Sequence, residues 1–142
     1  MAAATPAPSQ WQRLNGLLQS WLEERQQLRT LLYLLSDADT DRDEQHTLLQ
    51  PFCQLLMDYI SAGYFEIYTP LLEQADLRHP PGSAAARRIL AELDDSTDLA
   101  LAFNEAMEGN PAATQMDFPA RMAQLALALE RRFALEDQLV FS

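Results

Sequence analysis

Apolar residues return along this chain at steps of three and four, with no strict alternation of apolar and polar positions. Over residues 10–35, Leu14, Leu18, Trp21, Arg25, Leu28, Leu32 and Leu35 alternate steps of four and three. That is the seam of a helix packed on helical neighbours. One member of the seam, Arg25, is charged. The stretch SDADTDRDE comes next, rich in residues that favour turns over helix interiors, and predicts a solvated loop.

A second helix is expected over residues 50–75. Pro51 fits best in its first turn, where the missing N–H costs nothing, with a short separate turn before it at Glu44 to Leu49. Pro70 is expected to kink or end this helix near Thr69. RHPPGS then breaks the chain. A third helix, over residues 84–108, has Ser83 as its N-cap and Ile89, Leu90, Leu93, Leu101 and Met107 on its apolar side. GNPAAT ends it. A fourth, over residues 116–140, carries Phe118, Met122, Leu125, Leu129, Phe133 and Leu139. Strand signals are missing: there is no strict alternation of apolar and polar residues and little β-branched content. Four amphipathic segments joined by short polar breaks predict an all-α fold, an antiparallel four-helix bundle. Residues 1–9 read as a flexible lead-in and residues 10–142 as a single domain.

The second segment contains an anomaly. With Asp58 at zero on a wheel of about 100° per residue, Phe52, Leu55, Leu56, Tyr59, Ile60, Gly63 and Ile67 fall between roughly 60° and 200°. Asp58, Ser61, Phe65 and Tyr68 fall on the other side, with Tyr64 nearby. Aromatic rings on a solvated face point to a partner that covers them, or to a helix buried all round. Aromatic anchors supply contact area, while a carboxylate and a hydroxyl fix register.

Charge narrows the partner. The 142 residues hold 21 acidic and 10 basic side chains, a formal net charge of −11. Such a chain repels a phosphate backbone, which disfavours direct nucleic-acid binding, and attracts a basic protein surface. The single cysteine, Cys53, allows no internal disulfide and fits a reducing, cytoplasmic setting. No apolar run approaches the length needed to span a membrane.

Catalytic and metal chemistry finds little support. A di-iron bundle needs two Glu-x-x-His motifs, yet His46 and His79 are the only histidines and neither ends one. Asp37, Asp39 and Asp41 have the spacing of the first ligands of a calcium loop. The turn glycine is missing, however, and Leu48 stands where the closing glutamate belongs. No cofactor is expected, and Cys53 reads as a packing residue.

Three blocks of the sequence resemble the Rsd/AlgQ family of bacterial anti-sigma factors. FCQLLMDYISAGYFEIY matches the family signature at Phe52, Cys53, Asp58, Tyr59, Ser61, Ala62, Gly63, Phe65, Ile67 and Tyr68. Tyr64 stands where the family commonly has histidine. LERRFALEDQLV, from Leu129 to Val140, resembles its C-terminal block. WLEERQQL resembles its first-helix block at Trp21, Leu22 and Arg25. The resemblance implies a non-enzymatic four-helix bundle that binds region four of the primary sigma factor. It would do so as a cytoplasmic monomer in a one-to-one complex, blocking access to promoter −35 DNA and core RNA polymerase. It carries Asp58, Ser61 and Phe65 over as partner contacts, and Tyr64 and Tyr68 are expected beside them. The competing reading is a helical adaptor that meets a different cytoplasmic protein through the same face.

Arg25 in the seam needs a carboxylate, because a lone buried guanidinium is very unfavourable. Glu136 and Asp137 in the last turns of the fourth segment are the expected partners, with Trp21 one turn from Arg25. The four residues predict either a structural ion pair or a polar pocket.

Overall fold

The computed structural model describes residues 8–37, 39–78, 83–109 and 111–141. Helix α1 spans Pro8–Ser36 and α2 spans Arg42–Ala62. A π-helical turn, Gly63–Ile67, joins α2 without a break to α3, Tyr68–Arg78. Helix α4 spans Ser83–Gly109 and α5 spans Pro111–Val140. Because α2, the π turn and α3 form one rod, the molecule is a bundle of four helical rods, with no strand among the described residues. Helix α1 packs on α2 and α5, and α4 packs on α5 and α3. Of the lead-in expected over residues 1–9, residues 1–7 lie outside the described residues, and Pro8 and Ser9 begin α1. Residues 79–82 of the RHPPGS break lie outside them too. No helix among the described residues is long and apolar enough to cross a membrane.

The α1 seam faces inward as its spacing requires. Trp21, Arg25, Leu28, Leu32 and Leu35 are buried, and Leu14 and Leu18 half-buried. From the other rods come Phe52, Leu56, Leu93, Leu125, Leu129 and Phe133, all fully buried. Each such side chain contributes about 1.5–3 kcal/mol on leaving water. Phe52 and Phe103 meet edge to face, with ring centroids 5.9 Å apart.

Three boundaries differ from expectation. Helix α2 begins at Arg42, so Pro51 lies inside it rather than in its first turn. Asp41 precedes the helix in an extended conformation, and Asp43 and Glu44 occupy the first turn, where the helix dipole favours negative charge. Pro51 is exposed, so the Thr47 carbonyl that it leaves without an amide partner can be solvated. Pro70 does not end the rod. The carbonyl its ring would crowd belongs to Glu66, and the helix is already widened there into the π turn. The GNPAAT break is also shorter than expected, because α5 starts at Pro111. Proline suits that first position, since the N–H it lacks would have no helical partner.

The acidic loop uses its aspartates on its own backbone. The Asp39 amide donates to Asp37 Oδ1 at 3.0 Å, and the Thr40 amide donates to the Asp37 carbonyl at 3.1 Å. This is an Asx-type turn. No group of three or more His, Cys, Asp or Glu able to hold a metal occurs among the described residues. Cys53 is half-buried, and desolvation, aided by Glu108, pushes its thiol up to about 11. At neutral pH it is a protonated, weakly reactive group.

Candidate partner-binding face

The π turn decides that the Tyr68 ring faces the core. The Tyr68 amide donates to the Gly63 carbonyl, five residues back instead of four. One extra residue is thereby accommodated, and the helix face beyond it is set back by one residue, about 100°. An α-helical wheel carried straight through this stretch therefore misplaces the residues beyond it. Tyr68, expected on the solvated face beside Asp58 and Phe65, is a core residue with 2% of its surface exposed. Phe65 lies within the turn and stays outside, 85% exposed. Tyr64 is also set apart from that face. It is half-buried, its hydroxyl lies 2.9 Å from Thr97 Oγ1 on α4, and its ring meets Tyr68 edge-on at 5.1 Å.

The exposed set is thus Asp58, Ser61 and Phe65. Gln54 Nε2 donates to Asp58 Oδ1 at 3.0 Å, one turn away on α2. A third carboxylate besides Asp58 and Glu66 belongs to α1. Glu24 has one carboxylate oxygen shielded from solvent with no hydrogen-bond partner. Desolvation, then Asp58, then Glu66 hold its carboxyl above the usual range. Glu24 of α1 thus lies within reach of the charges of Asp58 on α2 and of Glu66 in the π turn, the residue next to Phe65. Glu24 carried no mark in the sequence, since one glutamate among 21 acidic residues does not reveal its neighbours.

Beneath this face runs a buried polar array. Glu136, fully buried on α5, accepts hydrogen bonds from the hydroxyls of Tyr59 on Oε1 and Tyr68 on Oε2. Arg25 donates from Nε to the Tyr59 hydroxyl at 3.0 Å and from Nη2 to Glu136 at 3.4 Å. It also pairs with the half-exposed Asp137. On the far side of Glu136 lies Arg132, itself fully buried. Its Nε sits 3.3 Å from Glu136 Oε2. Its Nη1 reaches Ser96 and Thr97, each at 2.8 Å, and its Nη2 donates to the Tyr68 hydroxyl at 3.1 Å. Two guanidinium groups thus meet two carboxylates, and the array is close to neutral. Burial pushes the Glu136 carboxyl up, while Arg132, the two tyrosine hydroxyls and Arg25 draw it down. The same burial raises the Tyr59 and Tyr68 hydroxyls well above their ordinary values, so both remain donors. Trp21 closes the array. It stacks on Tyr59 at 4.8 Å and donates from its indole nitrogen to the Tyr59 carbonyl at 3.0 Å.

A family model described as "Regulator of RNA polymerase sigma(70) subunit, Rsd/AlgQ" matches residues 1–142. The chain belongs to the Rsd/AlgQ family. It is 30% identical over 132 residues to a protein of Enterobacter sp. (strain 638) named "Regulator of sigma D", covering 89% of this chain and 79% of that one. A protein of the same name from Pectobacterium carotovorum subsp. carotovorum (strain PC1) is 29% identical over 136 residues, covering 89% and 86%. One from Yersinia enterocolitica is 28% identical over 135 residues, covering 89% and 79%. No solved structure matches the chain.

In this Rsd/AlgQ chain the four residues proposed for a polar pocket, Trp21, Arg25, Glu136 and Asp137, are brought together. Arg132, Ser96, Thr97 and both tyrosine hydroxyls join them, and their mutual hydrogen bonds give the group the character of a structural ion network. Arg132 was missed, although a signal for it exists. Phe118, Met122, Leu125, Leu129, Arg132, Glu136 and Leu139 alternate steps of four and three, the same spacing that marks Arg25 in α1.

Proposed function

We propose that this chain binds region four of the primary sigma factor through Asp58, Ser61 and Phe65, and regulates transcription by keeping that region from −35 promoter DNA and core RNA polymerase. The observation that carries the reading is Phe65. It is a large aromatic side chain, 85% exposed on the same rod as the exposed Asp58 and Ser61, in a member of a family described as regulators of the sigma(70) subunit. A partner that covers so exposed a ring gains its burial, and aromatic anchors of this kind carry much of the energy of an interface. Asp58 and Glu66 disfavour the charged form of Glu24, and a basic partner would relieve it. A domain that reads DNA is basic by necessity, so the same charge both steers it here and opposes the DNA it would otherwise bind.

The array below acts by holding this face in shape, and the role proposed for the chain is stoichiometric binding rather than catalysis. Its setting is the cytoplasm, where sigma factors act, and its complex is one protein to one sigma domain. The test is a titration of the purified protein against isolated sigma region four, with and without a −35 duplex. Saturable binding at one-to-one stoichiometry, weakened in proportion to added duplex, is the expected result. Failure to bind region four would leave the face to the adaptor reading, in which a different protein covers it, and binding indifferent to the duplex would overturn the competition with −35 DNA.

A further inference from the structure

We propose that Gly63 is a positioning residue for the partner face: its missing side chain makes room for the Tyr68 ring, and the widened turn built over that contact lets Tyr68 enter the core while Phe65 stays out in line with Asp58 and Ser61. The inference rests on the reading that Phe65 is a partner contact.

Gly63 is buried and has an ordinary right-handed helical backbone, φ −55° and ψ −53°. Nothing in its conformation calls for glycine. Space does. A Cβ at position 63 would lie 2.7 Å from both Cζ and the hydroxyl oxygen of Tyr68, and 3.2 Å from Cε2. The far end of a long side chain often gives way to such an intrusion, but this one is pinned. The Tyr68 hydroxyl donates to Glu136 and receives from Arg132 Nη2 at 3.1 Å, both on α5 and both fully buried. Its ring is held edge-on by Trp21 at 5.9 Å and by Tyr64 at 5.1 Å.

Gly63 and Tyr68 are also the two ends of the five-residue hydrogen bond that defines the turn. In a regular α-helix with Tyr68 held in the core the extra residue could not be accommodated, and position 65 would fall into the half-buried seat that Tyr64 now occupies. The π turn separates two neighbouring rings. Tyr64 goes to α4 and Phe65 goes to solvent. Single π turns set into α-helices are frequent at functional sites, where they re-aim side chains in this way.

The test has two readouts. The first is affinity for isolated sigma region four, measured well below the melting temperature for Gly63→Ala. The control is Leu125→Ala, a fully buried position on α5 that is destabilised by loss of packing alone. Gly63→Ala is expected to weaken binding by roughly tenfold or more, whereas Leu125→Ala binds as the parent does. The second readout is acrylamide quenching of the indole introduced by Phe65→Trp, taken as a difference from the same protein lacking that substitution. Quenching should fall when Gly63→Ala is added. It should also fall on deletion of Tyr64, which removes the extra residue, keeps the core residues on both sides in register and draws position 65 into the half-buried seat. The deletion decides the matter should Gly63→Ala not fold. Unchanged quenching in the variants that fold would overturn the proposal. So would a Gly63→Ala affinity within twofold of the parent, or a loss no greater than that of Leu125→Ala. If the parent protein itself fails to bind region four, the functional reading falls, and quenching alone decides whether Gly63 sets the exposure of position 65.

Discussion

Phe65 and Tyr59 belong to the same rod and the same sequence block, yet they do opposite work. Phe65 is 85% exposed, while Tyr59 is fully buried between Trp21, Arg25, Phe133 and Glu136. Phe65→Ala should therefore leave the melting temperature nearly unchanged and weaken binding to sigma region four by about 2 kcal/mol or more, over tenfold in affinity. Tyr59→Ala should do the reverse, lowering stability through a cavity and the loss of one hydrogen bond to the buried Glu136 carboxylate. Thermal melts and titrations of both variants check this, and a Phe65→Ala protein that melts as early as Tyr59→Ala would make Phe65 a core residue. Glu136 carries a larger stake. Removing it in Glu136→Ala leaves Arg132 buried without its carboxylate and two tyrosine hydroxyls without their acceptor. A loss of about 3–5 kcal/mol is expected in urea unfolding, the range for breaking a buried ion pair from one side. The exposed pair Arg29–Glu130, 3.2 Å apart with both side chains in water, is a different case, because surface pairs of this kind add at most about 1 kcal/mol.

At the scale of elements, the prolines and one glycine mark where sequence and structure part. Pro51 lies inside α2, on its exposed side. Tertiary packing of Phe52 and Leu56 on the core holds the helix together through a residue that opposes it. Pro51→Ala should thus restore one backbone hydrogen bond and raise stability by about 1–3 kcal/mol, with no effect on binding. Chemical denaturation of the single variant measures this, and a loss of stability would mean that the proline is accommodated at no cost. The rod formed by α2 and α3 also explains why a helical wheel is right for Phe65 and wrong for Tyr68. The extra residue enters between Gly63 and Tyr68, so the wheel is valid up to the turn and off by one residue past it.

On the scale of the whole molecule, charge is the dominant property. A net charge of −11 gives a field that no single contact explains, and a basic domain should be drawn in along it. Association with sigma region four is expected to be fast at low ionic strength and to slow markedly by physiological salt, as the Debye length shrinks to about 8 Å. Dissociation, governed by Phe65 and the contacts around it, should change far less. Stopped-flow rates across a salt series separate the two. An association rate that does not respond to salt would remove steering from the account.

The sequence by itself determined the bundle. Apolar steps of three and four, scarce glycine and polar breaks leave few ways to bury the core other than helix on helix, and they marked Arg25 as needing an acid. It also placed Asp58, Ser61 and Phe65 outside, because all three lie before or within the turn where the α-helical period is lost. What only the tertiary structure decided is the sidedness of the rod past the turn, the burial of Tyr68, the turning of Tyr64 to α4 and the approach of Glu24 to Asp58 and Glu66. The physical reason is common to all four. Periodicity reports the local repeat of one helix, whereas an inserted residue, a ring seated where a Cβ is missing, and charges gathered from separate helices depend on what packs against that helix. Glycine at 63 was plain to read, but its purpose was not, since the atom that excludes a side chain there is the hydroxyl of a tyrosine held by α5.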